Sequence, residues 1–343
     1  MDIYIYLSVY TPAMKNMEIG ARLHDIHDFL LEEYKLSKVE KKRDWRTYEQ
    51  QLAMRLREAI KHLEPLIDEA TSSIKVQRGK GRKPELSLKQ KVILLLLKGL
   101  VEKSNRSMAS MLTMFSLLSD VDVSYKTVER LYSDPEVEMA IYNLHILILR
   151  KKNVTIVDAG GDGTGYALTV SKHYASETQK RKDKVKNATS QKKKAFVFTF
   201  KLLDLDSRLY ICYGTSLRSE KAAFCKAMDM LEKIDVSIAS VRLDRYYSFP
   251  SVVDEFENGK VYIIPRKNST LKGSWHWKRI MRDFVYNTPQ YLGQYYLRNN
   301  SEAEFSADKR RFGWGVSQRR EDRINTAMAS INTWHNLVNM HTP

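Results

Sequence analysis

Apolar residues recur at intervals of three and four through "DWRTYEQQLAMRLREAIKHLEPLIDEA": Trp45, Tyr48, Leu52, Leu56, Ala59 and Leu63. That period matches an α-helix, so one face of a long helix is predicted to pack in a core or against a second copy. Helical spacing extends over the whole of 17–75. Further on, "LSLKQKVILLLLKGLVEK", "NRSMASMLTMFSLL" and "VSYKTVERLYSDP" predict three more helices, with Ser124 as an N-cap for the last. From residue 153 the period changes. "NVTIVDAGGDGTGYALTV" is rich in β-branched residues around a glycine cluster. "KKAFVFTFKLLDLDSRLYICYGTS" alternates and turns at "DLDS", predicting a hairpin. "SEKAAFCKAMDMLEKI" predicts an amphipathic helix, "VSIASVRLD" and "KVYIIPRKN" two buried strands, and the chain from about 274 is mainly helical. Three strands, then helix, strand, helix, strand and helix define an α/β unit with a mixed sheet, preceded by an all-α region.

Charge narrows what such a chain does. The 343 residues carry a formal net charge of +16, too basic for an ordinary enzyme of small metabolites. Lys and Arg contacts to phosphate give sequence-independent affinity, so a polyanionic partner is expected. Two segments concentrate the charge: "VQRGKGRKPELS" (76–87), read as a basic linker, and "SKHYASETQKRKDKVKNATSQKKK" (171–194), with nine Lys and Arg. Two helices and a turn leading to a short basic helix over 88–150 have the outline of a helix-turn-helix, with Lys126, Thr127 and Arg130 facing DNA. The domain reading is therefore a helical N-terminal region over 1–75, the linker, a DNA-binding region over 88–150 and an α/β domain over 153–343. Cys212 and Cys225 are too few for a disulfide framework and fit reduced thiols in the cytoplasm. The apolar start "MDIYIYLSVYTP" lacks a basic n-region and a cleavage site, so it is a poor signal peptide, and Met14 or Met17 is an alternative start. No apolar run is long enough to span a membrane.

Three acids stand where structure alone does not require them. Asp162 lies in "DGTG" in or just after the first strand, Asp244 ends "SVRLD", and Glu302 lies in "YYLRNNSEAEFSADKRRFG". In that last stretch Tyr295, Arg298, Glu302 and Lys309 fall within one arc of roughly 60° at helical spacing. A stripe like this is ordinarily a solvated face; acids at strand ends and on a helix also suit hard cations such as Mg²⁺. Asp158, four residues before Asp162, is a rival first acid. "RNNSE" is poor helix material and predicts helix initiation near Ser301, which leaves Tyr295 and Arg298 ahead of the helix.

These motifs together resemble the ribonuclease-H-like catalytic domain of DDE transposases, in particular the insertion-sequence transposases with a Tyr–x2–Arg–x3–Glu–x6–Lys helix. Tyr295, Arg298, Glu302 and Lys309 match that spacing. "DGTGYALTVSKHY" and "LDRYYS" are similar to the family's first and second Asp segments. The resemblance covers roughly 155–335. It implies metal binding by Asp162, Asp244 and Glu302, with two Mg²⁺ (or Mn²⁺) supporting DNA strand cleavage and strand transfer at an element's ends. It also implies that Tyr295, Arg298 and Lys309 hold double-stranded DNA at the element's end; Arg310, beside Lys309, is a further candidate DNA contact. A homodimer or larger assembly at the nucleoid is expected because two ends must be held together, and the 17–75 helices are candidates for that contact. The interval between Asp244 and Glu302 is too short for the large β-rich insertion some relatives carry. A nuclease that cuts without rejoining, or an inactive DNA-binding relative, would share these motifs.

Overall fold

A computed structural model describes residues 16–36, 44–75, 86–101, 107–113, 123–168 and 196–342. The basic loop 171–194 and nearly all of the linker 76–87 lie outside these residues. So do much of "NRSMASMLTMFSLL" and the stretch before residue 16.

The helices come first: α1 (Asn16–Asp25), α2 (Leu31–Leu36) after one wide turn, α3 (Trp45–Thr71), α4 (Leu88–Val101), α5 (107–113), α6 (Tyr125–Leu131) and α7 (Pro135–Lys151). Their starts follow from local chemistry. Asp44 caps α3 through the Arg46 and Thr47 amides. At α4, Ser87 and Gln90 form a reciprocal capping box at 3.2 and 2.9 Å. Ser124 accepts from the Thr127 amide, as expected from "VSYK". Helix α7, capped by Asp134 with Pro135 in its first turn, is an element that the sequence reading does not single out. The α3 stripe is buried only in its second half. Trp45 is exposed, Leu52 and Leu56 are half-buried, and Ala59, Leu63, Leu66 and Ile67 are inside.

The rest is a mixed α/β unit. Strands β1 (Ile156–Leu168), β2 (Phe196–Asp204), β3 (Tyr210–Ser216), β4 (Ser237–Leu243), β5 (Lys260–Tyr262) and the two-residue β6 (Gly315–Val316) form one sheet. Its order is β3-β2-β1-β4-β5, with β6 beside the end of β1. β2 is antiparallel to β1 and β3, whereas β4 is parallel to β1 and to β5. Helices α8 (Glu220–Leu231), α9 (Pro250–Val253), α10 (Trp275–Tyr286), α11 (Thr288–Tyr295), α12 (Asn299–Phe312) and α13 (Glu321–Asn339) complete the chain. The predicted hairpin and the Ser219-capped helix α8 are present, while the "KVYIIPRKN" strand is paired over three residues only.

One core joins the helical region to the sheet, running from Ile19 to Val338. Trp334 of α13 is fully buried and donates to the Leu96 carbonyl of α4 at 2.7 Å. Arg323 of α13 pairs with Glu129 of α6.

A candidate active site at the ends of two parallel strands

Strand register brings the first two acids together. Gly161 of β1 lies opposite Leu243, the last residue of β4, so Asp162 and Asp244 are the next residues on neighbouring parallel strands. Such strands run about 4.8 Å apart. β4 stops here while β1 continues to Leu168, leaving Asp162 beside an open strand end. Asp244 then caps the following turn, its Oδ1 accepting from the Tyr246 amide at 2.7 Å. Capping and participation in the site are thus compatible, because Oδ2 faces elsewhere.

The third acid arrives on α12, whose approach depends on Gly160. A Cβ at that position would lie 2.3 Å from Ser301 Oγ, inside any normal contact. Ser301 is fully buried within the helix and is no cap, contrary to the sequence reading. The helical interruption lies earlier, where a single tighter turn at Tyr296–Arg298 links α11 to α12. "NNS" forms the first turn of α12 because packing against β1 outweighs weak intrinsic propensity. The four positions of the stripe therefore do not share one unbroken α-helix. Tyr295 closes α11 and is buried, Arg298 ends the tight turn, and Glu302 and Lys309 lie on α12.

Arg298 stands at the centre of the three carboxylates. Its Nη2 is 3.0 Å from Asp244 Oδ2, and its Nη1 is 2.9 Å from Glu302 Oε1 and 3.8 Å from Asp162 Oδ2. The guanidinium is mostly enclosed, at 12% exposure, and stacks on the Tyr295 ring at 5.4 Å. Its Nε and Nη1 make no directed hydrogen bond, so the hold on Glu302 is a contact of charges and not an aligned fork. Burial works against the charge of Arg298, but Tyr295 and the three acids hold its pKa above the usual value. Burial pushes the Asp162 carboxyl up to about 7 against the pull of Arg298, and Asp244 and Glu302 add to the rise. The cluster is short of positive charge.

Lys309 lies along the same strand. Its Nζ donates to Thr164 Oγ1 at 2.6 Å and sits 5.4 Å from the Tyr166 ring and 5.3 Å from the exposed Trp314 ring. Burial lowers its pKa, and Asp162 partly restores it. Arg310 is exposed and donates to Ser306 at 3.0 Å. Lys126 and Arg130 are exposed on α6. Asp158 goes elsewhere: it accepts from Ser240 and lies 3.5 Å from Arg242, four residues back along β1, roughly 13 Å by strand rise. Of the two Asp candidates, Asp162 is the one that β1 brings to Asp244 and Glu302.

A second charged cluster under α12 has no counterpart in the sequence reading. Asp308 Oδ2 accepts from Tyr210 at 2.6 Å and from Lys201 at 3.1 Å, and His335 Nδ1 lies 2.9 Å from Oδ1. All four residues are completely buried. Their separation across β2, β3, α12 and α13 leaves no local pattern to find. Among the described residues, no three His, Cys, Asp or Glu side chains are gathered closely enough to form a ready metal site. The shared partner of Asp162, Asp244 and Glu302 is a guanidinium.

A partly open acid cluster at parallel strand ends, on a strongly basic chain, is an arrangement suited to a polyanion or its cations. Comparison with known proteins gives the particular family. The chain is 42% identical, over 283 residues, to the probable transposase for insertion sequence element ISA1214 of Archaeoglobus fulgidus, covering 82% of this chain and 84% of that protein. The chain belongs to the insertion-sequence transposases. No family model and no solved structure matches it. No helix among the described residues is long and apolar enough to cross a membrane.

Proposed function

We propose that this transposase is of the DDE type, with a ribonuclease-H-like catalytic domain that cuts and rejoins DNA at the ends of its insertion sequence. The observation that carries the reading is the convergence of Asp162, Asp244 and Glu302, from two parallel strands and a helix, on one cation. The β3-β2-β1-β4-β5 order, with β2 the strand antiparallel to β1, supports the fold assignment.

The donor set is all oxygen, three carboxyl groups against one guanidinium, which suits hard divalent cations such as Mg²⁺. Asp162, Asp244 and Glu302 would hold them. The chemistry such ions would supply there is Lewis-acid assistance to a water or 3′-hydroxyl and to the leaving oxygen of an in-line displacement at phosphorus. The chain's other residues position the DNA. Lys309 and Arg310 extend from the acid cluster along α12 as phosphate contacts. Lys126 and Arg130 present a second basic surface on α6, the helix-turn-helix-like contact to the element's ends. Tyr295 faces Arg298, so a base reaches its ring only when the guanidinium has moved. A dimer or larger assembly would hold both ends.

The test supplies a duplex carrying one end of the element with Mg²⁺, and follows cleavage and joined products. Glu302→Gln and Asp244→Asn are expected to abolish both reactions while gel-shift binding persists. Unchanged cleavage in either variant would sink the metal assignment. Cleavage without joined products in the wild type would instead mark a nuclease.

A further inference from the structure

We infer that Arg298 is an internal counter-ion that locks the acid cluster until a divalent cation displaces it, so that metal loading and release of this arginine are one event. The inference rests on the proposed metal role of Asp162, Asp244 and Glu302.

Geometry carries it. One guanidinium contacts all three carboxylates at 2.9 to 3.8 Å, which places it in the space that a shared cation would take. Arginine cannot yield by losing its proton. A cation that enters must therefore compete with it and drive it out. The lock is also imperfect. Nη1 and Nε are buried without directed hydrogen bonds, and three acids share a single positive charge. A divalent ion supplies the charge that Arg298 leaves unmet.

The arginine also has a way out. It ends the tight turn Tyr296–Arg298, between α11 and α12, and is not held within a long rigid helix. Once displaced, the side chain is a free guanidinium beside the reacting centre, suited to a phosphodiester in bidentate geometry. Metal entry would then unmask a DNA contact.

Two measurements on the full chain without DNA test this. In the first, Mn²⁺ is titrated and the free ion is read by electron paramagnetic resonance in the wild type, Arg298→Ala, Arg298→Lys, Asp162→Asn and Glu302→Gln. Arg298→Ala is expected to bind Mn²⁺ about tenfold tighter, the scale on which a neighbouring guanidinium shifts a carboxylate's protonation. Arg298→Lys, which keeps the charge, should stay near the wild type. Unchanged or weaker binding in a folded Arg298→Ala overturns the inference. If Asp162→Asn and Glu302→Gln weaken binding at the same time, the metal assignment stands and the lock alone fails. Affinity indifferent to Asp162→Asn and Glu302→Gln removes the metal assignment and the lock together.

The second measurement needs no variant. Phenylglyoxal modification of the wild type is followed at the Arg298 peptide by mass spectrometry. Adduct formation should rise on adding Mn²⁺, because the guanidinium leaves its enclosed position. A rate that stays flat or falls overturns the inference.

Discussion

Helix α12 delivers two acids into two charged clusters that are mirror images in stoichiometry. Asp308 is one carboxylate under three groups that bind it, Lys201, Tyr210 and His335, all fully buried. Arg298 is one cation among three carboxylates, with Glu302 about half exposed. In the first cluster every charge is answered. Burial raises the Asp308 carboxyl, but His335 and Lys201 outweigh it and hold the group well below the usual carboxylate range. In the second the acids outnumber their partner, and Asp162 is pushed up to about 7. The difference teaches that burial of charge does not by itself mark function. Satisfied charge fixes the helix; unsatisfied charge beside an opening is where the proposed metal site lies.

Breaking each cluster should give opposite phenotypes. The largest effect is expected at the open one. Asp162→Asn should lower metal-dependent cleavage by about 10²–10³-fold or more, a loss comparable to removing one preorganised electrostatic group. Melting temperature should hold or rise, since the carboxylate is held there at a cost. Asp158→Asn, in contact with Ser240 and Arg242, should leave the cleavage rate nearly unchanged. Equal losses in the two variants would erase the distinction between them.

Next in size is the closed cluster. Asp308→Asn leaves Lys201 buried without its counter-charge and should cost about 3–5 kcal/mol in chemical denaturation. The pH dependence follows from the sign of the shift. A carboxyl depressed in the folded state contributes stability above about pH 4 that is lost as pH falls through the folded value. Melting of the wild type should therefore fall steeply on acidification, and Asp308→Asn should flatten that fall. A wild-type slope retained in the variant would assign acid sensitivity elsewhere.

A smaller effect tests what joins the clusters. Gly160→Ala places a methyl against Ser301 and should cost about 1–3 kcal/mol, the range for overpacking a core. Because Glu302 follows Ser301, cleavage should fall further than stability explains. Ser301→Gly in the same chain should restore part of both. The mildest change lies outside the clusters. Replacing Lys126 and Arg130 with Ala should reduce the salt dependence of DNA binding by about one phosphate contact each, without altering melting. An unchanged slope would remove α6 from the DNA surface.

The three acids could be singled out in the sequence through two local contexts, a glycine cluster and a strand end, and through the resemblance carried by the Tyr–x2–Arg–x3–Glu–x6–Lys spacing. The element order was legible through changes of hydrophobic period. What joins the acids was not. The Gly161–Leu243 register is a long-range pairing that no local pattern encodes. Spacing placed Arg298 on a stripe but said nothing of what it faces. The Lys201–Asp308–His335 cluster joins residues 107 and 27 positions apart, each unremarkable where it stands. The break predicted at "NNS" shows the reverse error, local propensity yielding to tertiary packing.

Strand β1 meets helix α12 at one end, where Gly160 lies against Ser301, and meets β6, just past that helix, at the other, where Ala167 and Leu168 pair with Gly315 and Val316. The Ala167 amide also donates to the Trp314 carbonyl at 3.0 Å. Seven strand steps span about 23 Å, and the helix with its exit must cover the same length. The two segments therefore act as a matched pair in which neither tolerates an inserted or deleted residue alone. Length variation among related chains should accumulate outside 160–168 and 301–316, and a one-residue insertion in one segment should be tolerated only with compensation in the other.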